Sequence, residues 1–446
     1  MWGEVLKQEG ASKEKIAECY RKAVILTIPD AEKVWSEKRP LSVLEMNLLL
    51  ETQTENLKIC EKAIDKLRDA GRTYYLVELL EIEIQILETM PEDAVTEHLE
   101  KNGTDRINAK ELMSMIKNLY AEYEVPAYMQ DCTYFYQQKW IFSMKDVLRT
   151  RREMFGLTQE QLCEGICSVK SLRRAEKGQT DMQRETLKKL LNRLGLSGQM
   201  QWSRLITSDR EVIRMAEELA DYINDRKFSV ASKQLESLKS RIDLDIPQNK
   251  QYFLEKQALL EFEQGKVTRE EFVKMEKEAL ECTLRAENLY RKENVYLTER
   301  EIICISNSWK GMEEKEKRES INLILRLYDN YALNNGLSQA ISVYEIVTEA
   351  AVNELGNSGE HVRAEEIDRK SIKVSLSCRR VWDIHYKIYD ILWNEKEIQK
   401  KNKEKKRNME MTDGLMKCIS ISHYVKQPFY EKIYREKMIN LYIQDN

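Results

Sequence analysis

Glycine and proline are scarce, 15 and 6 among 446 residues. Sheets joined by tight turns need both as punctuation, so this scarcity argues against a sheet-rich fold. With abundant Leu, Glu, Lys and Ile, it predicts an all-α chain. Histidine is scarcer, four in all (His98, His361, His385, His423), and none has a second ligand at metal spacing. Cys163 and Cys167 lie four apart, but no second Cys/His pair follows. They read as two small core residues, and neither metal nor other cofactor is expected. Nine cysteines, an odd number at irregular spacing, are expected as reduced thiols. No run approaches the roughly 18–20 apolar residues that cross a bilayer, so no membrane partner is expected. The opening Met-Trp-Gly-Glu-Val-Leu-Lys lacks the basic-then-apolar order of a secretion signal, and a cytoplasmic location is expected. The patterns G-x-x-x-x-G-K-[ST], G-x-G-x-x-G and G-x-S-x-G are all absent. With no paired carboxylates or nucleophile constellation in view, no catalytic residues are assigned and a non-enzyme is expected.

What is present is a long chain, 33% charged and 42% hydrophobic, with room for two or three domains. Its net charge of -4 alone predicts no polyanionic partner. The distribution says otherwise. Residues 141–197 hold 12 Lys/Arg and 7 Asp/Glu, a basic island of +5 in a remainder of -9. Three segments are expected: a helical, repeat-like domain over 1–140, the island over 141–197, and a helical repeat domain over 198–446.

Breaks at Pro29, Pro40, Pro91 and Pro126 divide the first segment. Leu41, Leu44 and Leu48, then Leu76, Leu80, Ile84 and Leu87, recur at the 3–4 spacing of helices with one buried stripe. Polar residues 102–105 precede another periodic helix over 112–123. In the last segment, residues 220–231 and 259–266 each end one helix and open another. They resemble tetratricopeptide junctions, where an aromatic and an alanine let paired helices pack closely. A third hairpin is expected over 321–337. The Lys/Glu run at 396–407 reads as a solvated helix end or connector. Trp382, His385, Tyr386, Tyr389 and Trp393 share one helical face, for packing or, alternatively, an aromatic ligand pocket.

The island is the most specific part. A helix is expected over about 144–155, stopped at Gly156. Thr158 then caps a second helix with Gln161 as its capping-box partner. Gly165-Ile166-Cys167 makes a turn, and Ser168 caps a third helix, 169–176, stopped by Lys177-Gly178. A fourth runs over about 184–194. Leu157, Leu162, Ile166, Leu172, Ala175, Leu187 and Leu190 are its apolar pegs.

This L-T-Q-x-Q-L sequence, with its short turn and capped helix ending in Glu-x-Gly, resembles the Xre (Cro-like) helix-turn-helix family over about 55 residues. The resemblance implies a DNA-binding transcription regulator and a structural ion pair, Arg152 with Glu176. Helix geometry gives the same chemistry: a helix fits the major groove and its first turn meets base edges. The candidate DNA contacts are Ser168, Val169, Lys170 and Ser171 in that turn, with Arg173 and Arg174 behind them. Lys177, Gln179, Thr180 and Arg184 follow along the backbone, and Gln159 heads the supporting helix toward a phosphate. Met182 stands where the family often has Pro, and Ala175 where a larger apolar residue is common, which is expected to loosen the small core.

The short Ile-Cys turn followed by tetratricopeptide-like helices is similar to the Rgg/PlcR type of peptide-sensing regulator of Gram-positive bacteria. That likeness implies operator DNA and a signalling peptide as partners, and a homodimer reading two half-sites. The 140 residues before the island depart from that plan. No motif identifies peptide-binding residues; Asn330, Asn334 and Asn335 are conceivable, or merely close a turn. The alternative is a repeat scaffold carrying a helix-turn-helix remnant that no longer binds DNA, against which the retained Lys170, Arg173, Arg174 and Lys177 argue.

Overall fold

The computed structural model describes residues 53–93, 108–128, 144–197, 205–285, 294–333, 337–402 and 408–445, with a few positions between 6 and 18 and Leu289. Three helices come first: α1 (Gln53–Asp69), α2 (Leu76–Thr89) and α3 (Ala109–Glu122). Four short ones follow: α4 (Met144–Met154), α5 (Gln159–Cys163), α6 (Val169–Glu176) and α7 (Arg184–Arg193). Then come α8 (Arg210–Asn224), α9 (Phe228–Lys239), α10 (Pro247–Glu263), α11 (Arg269–Glu281), α12 (Glu299–Ser308), α13 (Glu314–Leu333) and α14 (Leu337–Asn357). The last four are α15 (His361–Ser377), α16 (Ile384–Asn402), α17 (Asn408–Tyr424) and α18 (Pro428–Asp445). Apart from one isolated bridge between Arg72 and Arg380, the described residues contain no strand pairing. The fold is all-α. The expected features at Pro29, Pro40, Leu41, Leu44, Leu48, His98, 102–105, Asn334 and Asn335 lie outside the described residues, as does the side chain of Asn330.

The chain divides into two compact units, and the division differs from the three-segment expectation. One unit joins Met1–Tyr136 to Gly359–Asn446; the other is Gln137–Ser358. The expected array over 198–446 is therefore split, because the helices after Gly359 share a core with those at the start of the chain. Leu67, Leu76, Leu80, Ile116 and Tyr120 from α1–α3 pack with Ile372, Ile384, Leu415 and Ile421 from α15–α17. Polar groups fix the junction. Val381 N donates to Gly71 O at 2.9 Å, and Thr73 N to Arg379 O at 3.0 Å. Arg68 reaches the carbonyls of Tyr424 and His423 at 3.0 and 3.2 Å, closing the end of α17. Gly71 sits at φ 58°, and a Cβ there would meet Trp382 at 2.7 Å, so glycine is required.

The second unit carries the basic island and the paired helices after it. The expected junctions form. The turn after α8 closes at Arg226, φ 58°, before α9. Between α10 and α11, Gly265 takes φ 65° and the rings of Phe262 and Phe272 stack 4.5 Å apart. Capping boxes at Thr268 and Thr298 start α11 and α12.

Between α10, α11 and α12 lies a buried charged group. Glu255 and Glu276 are both fully buried. Burial pushes the Glu255 carboxyl up, but Lys256 and Arg300 beside it hold it below the usual range. Among the described residues, Glu276 has only the Asn307 amide at 3.0 Å and the Cys304 thiol. Burial, then the charge of Glu255, pushes its carboxyl well above the usual range. The fold thus favours protonated Glu276. That stability is fully present below the unfolded pKa near about 4.3 and is lost as pH rises through the folded value. Glu276→Gln should therefore raise the melting temperature at about pH 8, with the gain shrinking toward about pH 4.5. Calorimetric melts across that range check it, and a gain independent of pH would count against the assignment.

Candidate nucleic-acid interface

Helices α4–α7 form the island's bundle around Val147, Leu148, Leu162, Leu172, Leu190 and Leu191. Thr158 caps α5 through a full capping box with Gln161, and Ser168 caps α6 by accepting from Ser171 N at 3.2 Å. Gly178, at φ 68°, ends the turn after α6. Ala175 is buried, at 6% exposed, in the place expected to leave the core less filled.

On the outer face of α6, Ser168, Lys170, Ser171, Arg173 and Arg174 are exposed and Val169 is half-buried. Lys177, Gln179 and Arg184 are exposed and Thr180 is half-buried along the following loop and helix start. Among the described residues, Lys170 and Arg174 make no ion pair; both cations face solvent within two turns of the helix start. Ser168 and Ser171 have their hydroxyls 2.8 Å apart, so part of their capacity serves the cap.

The Gln159 side chain has partners within the bundle. Its amide donates to Glu176 Oε2 at 2.7 Å and accepts from Arg173 Nε at 3.3 Å. Glu176, 7% exposed, also receives Arg152 Nε at 2.7 Å and Nη2 at 3.1 Å. The expected pair is thus a bidentate fork extended by Gln159, joining α4, α5 and the end of α6.

Two other arginines were not singled out by sequence. Arg193 donates to the carbonyls of Gln161, Leu162 and Glu164 at 3.3, 3.0 and 2.7 Å, closing the end of α5. Arg151 is fully buried. Its Nε meets Leu194 O at 3.0 Å, and its Nη1 meets Tyr296 O at 2.8 Å and Glu301 Oε2 at 3.0 Å. Its Nη2 meets Thr283 O at 3.1 Å and Glu301 Oε1. All five N–H donors of the guanidinium have acceptors. Gly195 packs so closely there that a Cβ would lie 1.9 Å from Thr283 O. Arg151 and Arg152 are neighbours with opposite duties: one fastens the bundle to the helical array, the other closes the bundle itself.

In the other unit, the aromatic face divides. His385 is fully buried between Tyr434 Oη (2.9 Å) and Gln427 Oε1 (2.7 Å), and burial pushes its pKa down to about 4. Tyr386 packs edge-on against Tyr430 at 4.4 Å. Tyr389 and Trp393 instead line a cavity of about 270 Å³ with Leu392, Met411 and Leu415, and Lys396 and Lys437 among its other walls. No group of three or more potential metal ligands occurs among the described residues.

Residues 148–199 match the helix-turn-helix family HTH_3, so the bundle is a domain of that class. Two solved structures are similar to the chain at low identity. Bacillus thuringiensis PlcR, in complex with the peptide PapR7 and DNA, is 17% identical; the match covers 66% of this chain and 98% of that one, with a TM-score of 0.39. ComR from S. thermophilus, in complex with DNA and its signalling peptide ComS, is 16% identical; coverage is 67% and 99%, and the TM-score 0.34. No curated protein matches the chain.

Removing the Arg152 fork should loosen the bundle, because Glu176 would keep a buried charge with only Gln159 beside it. Arg152→Ala is expected to cost about 3–5 kcal/mol, the scale of breaking a buried pair. The full chain is the right sample, since Arg151 ties the bundle to the array. Hydrogen exchange should show α6 amides losing protection by about a hundredfold or more. Unchanged protection of α6 would refute the structural role.

Proposed function

We propose that this chain is a sequence-specific DNA-binding transcription regulator of the cytoplasm, controlled by a peptide held in its helical repeats. One observation carries the DNA half: a capped helix in an HTH_3 domain with exposed Lys170 and Arg174 near its start that make no ion pair among the described residues. Lys170 and Arg174 are the base-reading candidates, able to donate to guanine O6 and N7, with Val169 offering apolar contact to a thymine methyl. Ser168 and Ser171 serve the cap first, and Lys177, Gln179, Thr180 and Arg184 track phosphates. Gln159 acts through Glu176 and Arg173, holding the helix rather than the DNA, and Arg173 is partly committed to that task. Two copies would read two half-sites, one per helix-turn-helix.

The peptide half is supported by paired helices α8–α9 and α10–α11, whose stacking leaves the extended surface that such arrays use to hold chain segments. A peptide that regulates must favour one DNA-binding state over the other.

The test starts from a random-sequence duplex pool, from which the full chain should select a defined site. Lys170→Ala or Arg174→Ala should each lose about 1–3 kcal/mol on that site and relax preference at one position. Anisotropy titrations at fixed salt read both effects. Recovery of no preferred sequence, or equal affinity of parent and variants, would sink the reading.

A further inference from the structure

The turn before the recognition helix brings two thiols together. Gly165, at φ 67°, reverses the chain, and the amides of Ile166 and Cys167 both donate to Cys163 O, at 2.8 and 3.1 Å. This return places Cys167 Sγ 3.5 Å from Cys163 Sγ. The two sulfurs differ in setting. Cys163 is 2% exposed among the bundle's core residues, whereas Cys167 is only half-buried. Burial, then the hydrogen bond from Cys167, pushes the Cys163 thiol up to about 12. Cys167 also directly precedes Ser168, the cap of α6.

We propose that Cys163 and Cys167 are a redox-modification site: a peroxide oxidises them to an intramolecular disulfide that weakens DNA binding. The proposal rests on the DNA-binding reading above. In the first step the accessible Cys167 thiolate attacks one peroxide oxygen. The O–O bond breaks, the sulfur becomes a sulfenic acid, and the other oxygen leaves as water after taking a proton. In the second, Cys163, deprotonating as it reacts, attacks that sulfur. The S–O bond breaks, a second water leaves, and the S–S bond forms. Two thiols lose two electrons and two protons to the peroxide, which is reduced.

The bond matters for DNA because of where the slack lies. A disulfide spans about 2.05 Å, so the sulfurs must close by roughly 1.5 Å. Cys163 is packed in the core, and Arg193 clamps the carbonyls of Gln161, Leu162 and Glu164 on its side of the turn. The displacement therefore falls on Cys167 and the adjoining Ser168, the residue that fixes the start of α6.

The experiment treats the full chain with graded hydrogen peroxide, blocks remaining thiols by alkylation and maps tryptic peptides. No Lys or Arg lies between Arg152 and Lys170, so one peptide, 153–170, carries both cysteines. It should lose two hydrogens and escape alkylation. Affinity for the duplex selected by the reduced chain should fall about tenfold or more, the scale of a lost base contact, and return with dithiothreitol. Cys167→Ser should bind that duplex as the reduced parent does and ignore peroxide; Cys167→Ala serves if the serine variant folds poorly. A doubly alkylated 153–170 peptide after peroxide means two packed thiols only and overturns the proposal. A disulfide that leaves affinity unchanged, or a Cys167→Ser variant still weakened by peroxide, overturns it equally. If the reduced chain selects no duplex, the regulator reading itself falls and the switch with it, while the peptide map still reports the sulfur chemistry separately.

Discussion

A guanidinium with no exposed surface must be met on every edge, and Arg151 is met by five acceptors on four residues, Leu194, Thr283, Tyr296 and Glu301. Its carboxylate partner is equally committed. Glu301 also receives the Thr283 hydroxyl at 2.8 Å and the Thr298 amide at 2.8 Å, the latter as the third residue of its own helix's capping box. Such a group adds little net stability against an apolar equivalent, because desolvation offsets most of the Coulombic gain. Its effect is on placement. The pair is satisfied only when α4, the end of α7, Thr283, Tyr296 and α12 are all in register. The close approach of Gly195 to Thr283 follows from the same register. The helix-turn-helix bundle is thereby held as part of the array, and α6 inherits a fixed attitude toward α8–α14.

What was legible in the sequence was local. The caps at Thr158 and Ser168, the stops at Gly156 and Gly178, and the helix lengths between them rest on interactions spanning eight residues or fewer, which a sequence displays directly. The Arg152–Glu176 pair was legible because a family resemblance supplied the long step. Arg151 was not. It sits in a run of basic residues where charge predicts exposure, and its partner lies 150 positions away. The side-chain partners of Gln159 were hidden for a related reason: a polar residue at a helix start reads as solvent-facing unless the buried carboxylate beside it is known.

The division of the chain was hidden by a different limit. The spacing at Leu76, Leu80 and Ile84 identifies a helix and its buried stripe but does not say which stripe covers it. Here the partners are the helices after Gly359. The bridge of Arg72 with Arg380 and the reach of Arg68 to Tyr424 span more than 300 positions, and no periodicity announces them. The part of the repeat segment that shares a unit with the bundle is accordingly shorter than composition implied, ending at Ser358.

Under the proposed regulator reading, these constraints narrow how a ligand of the array could act on DNA binding. Lifting the bundle from α8–α14 would strand both Arg151 and Glu301, at a cost of about 3–5 kcal/mol. A ligand driving that separation must then favour the separated state by roughly two to four orders of magnitude. A motion that keeps the pair intact escapes this cost. The buried pair thus disfavours any regulation that works by releasing the bundle from α8–α14.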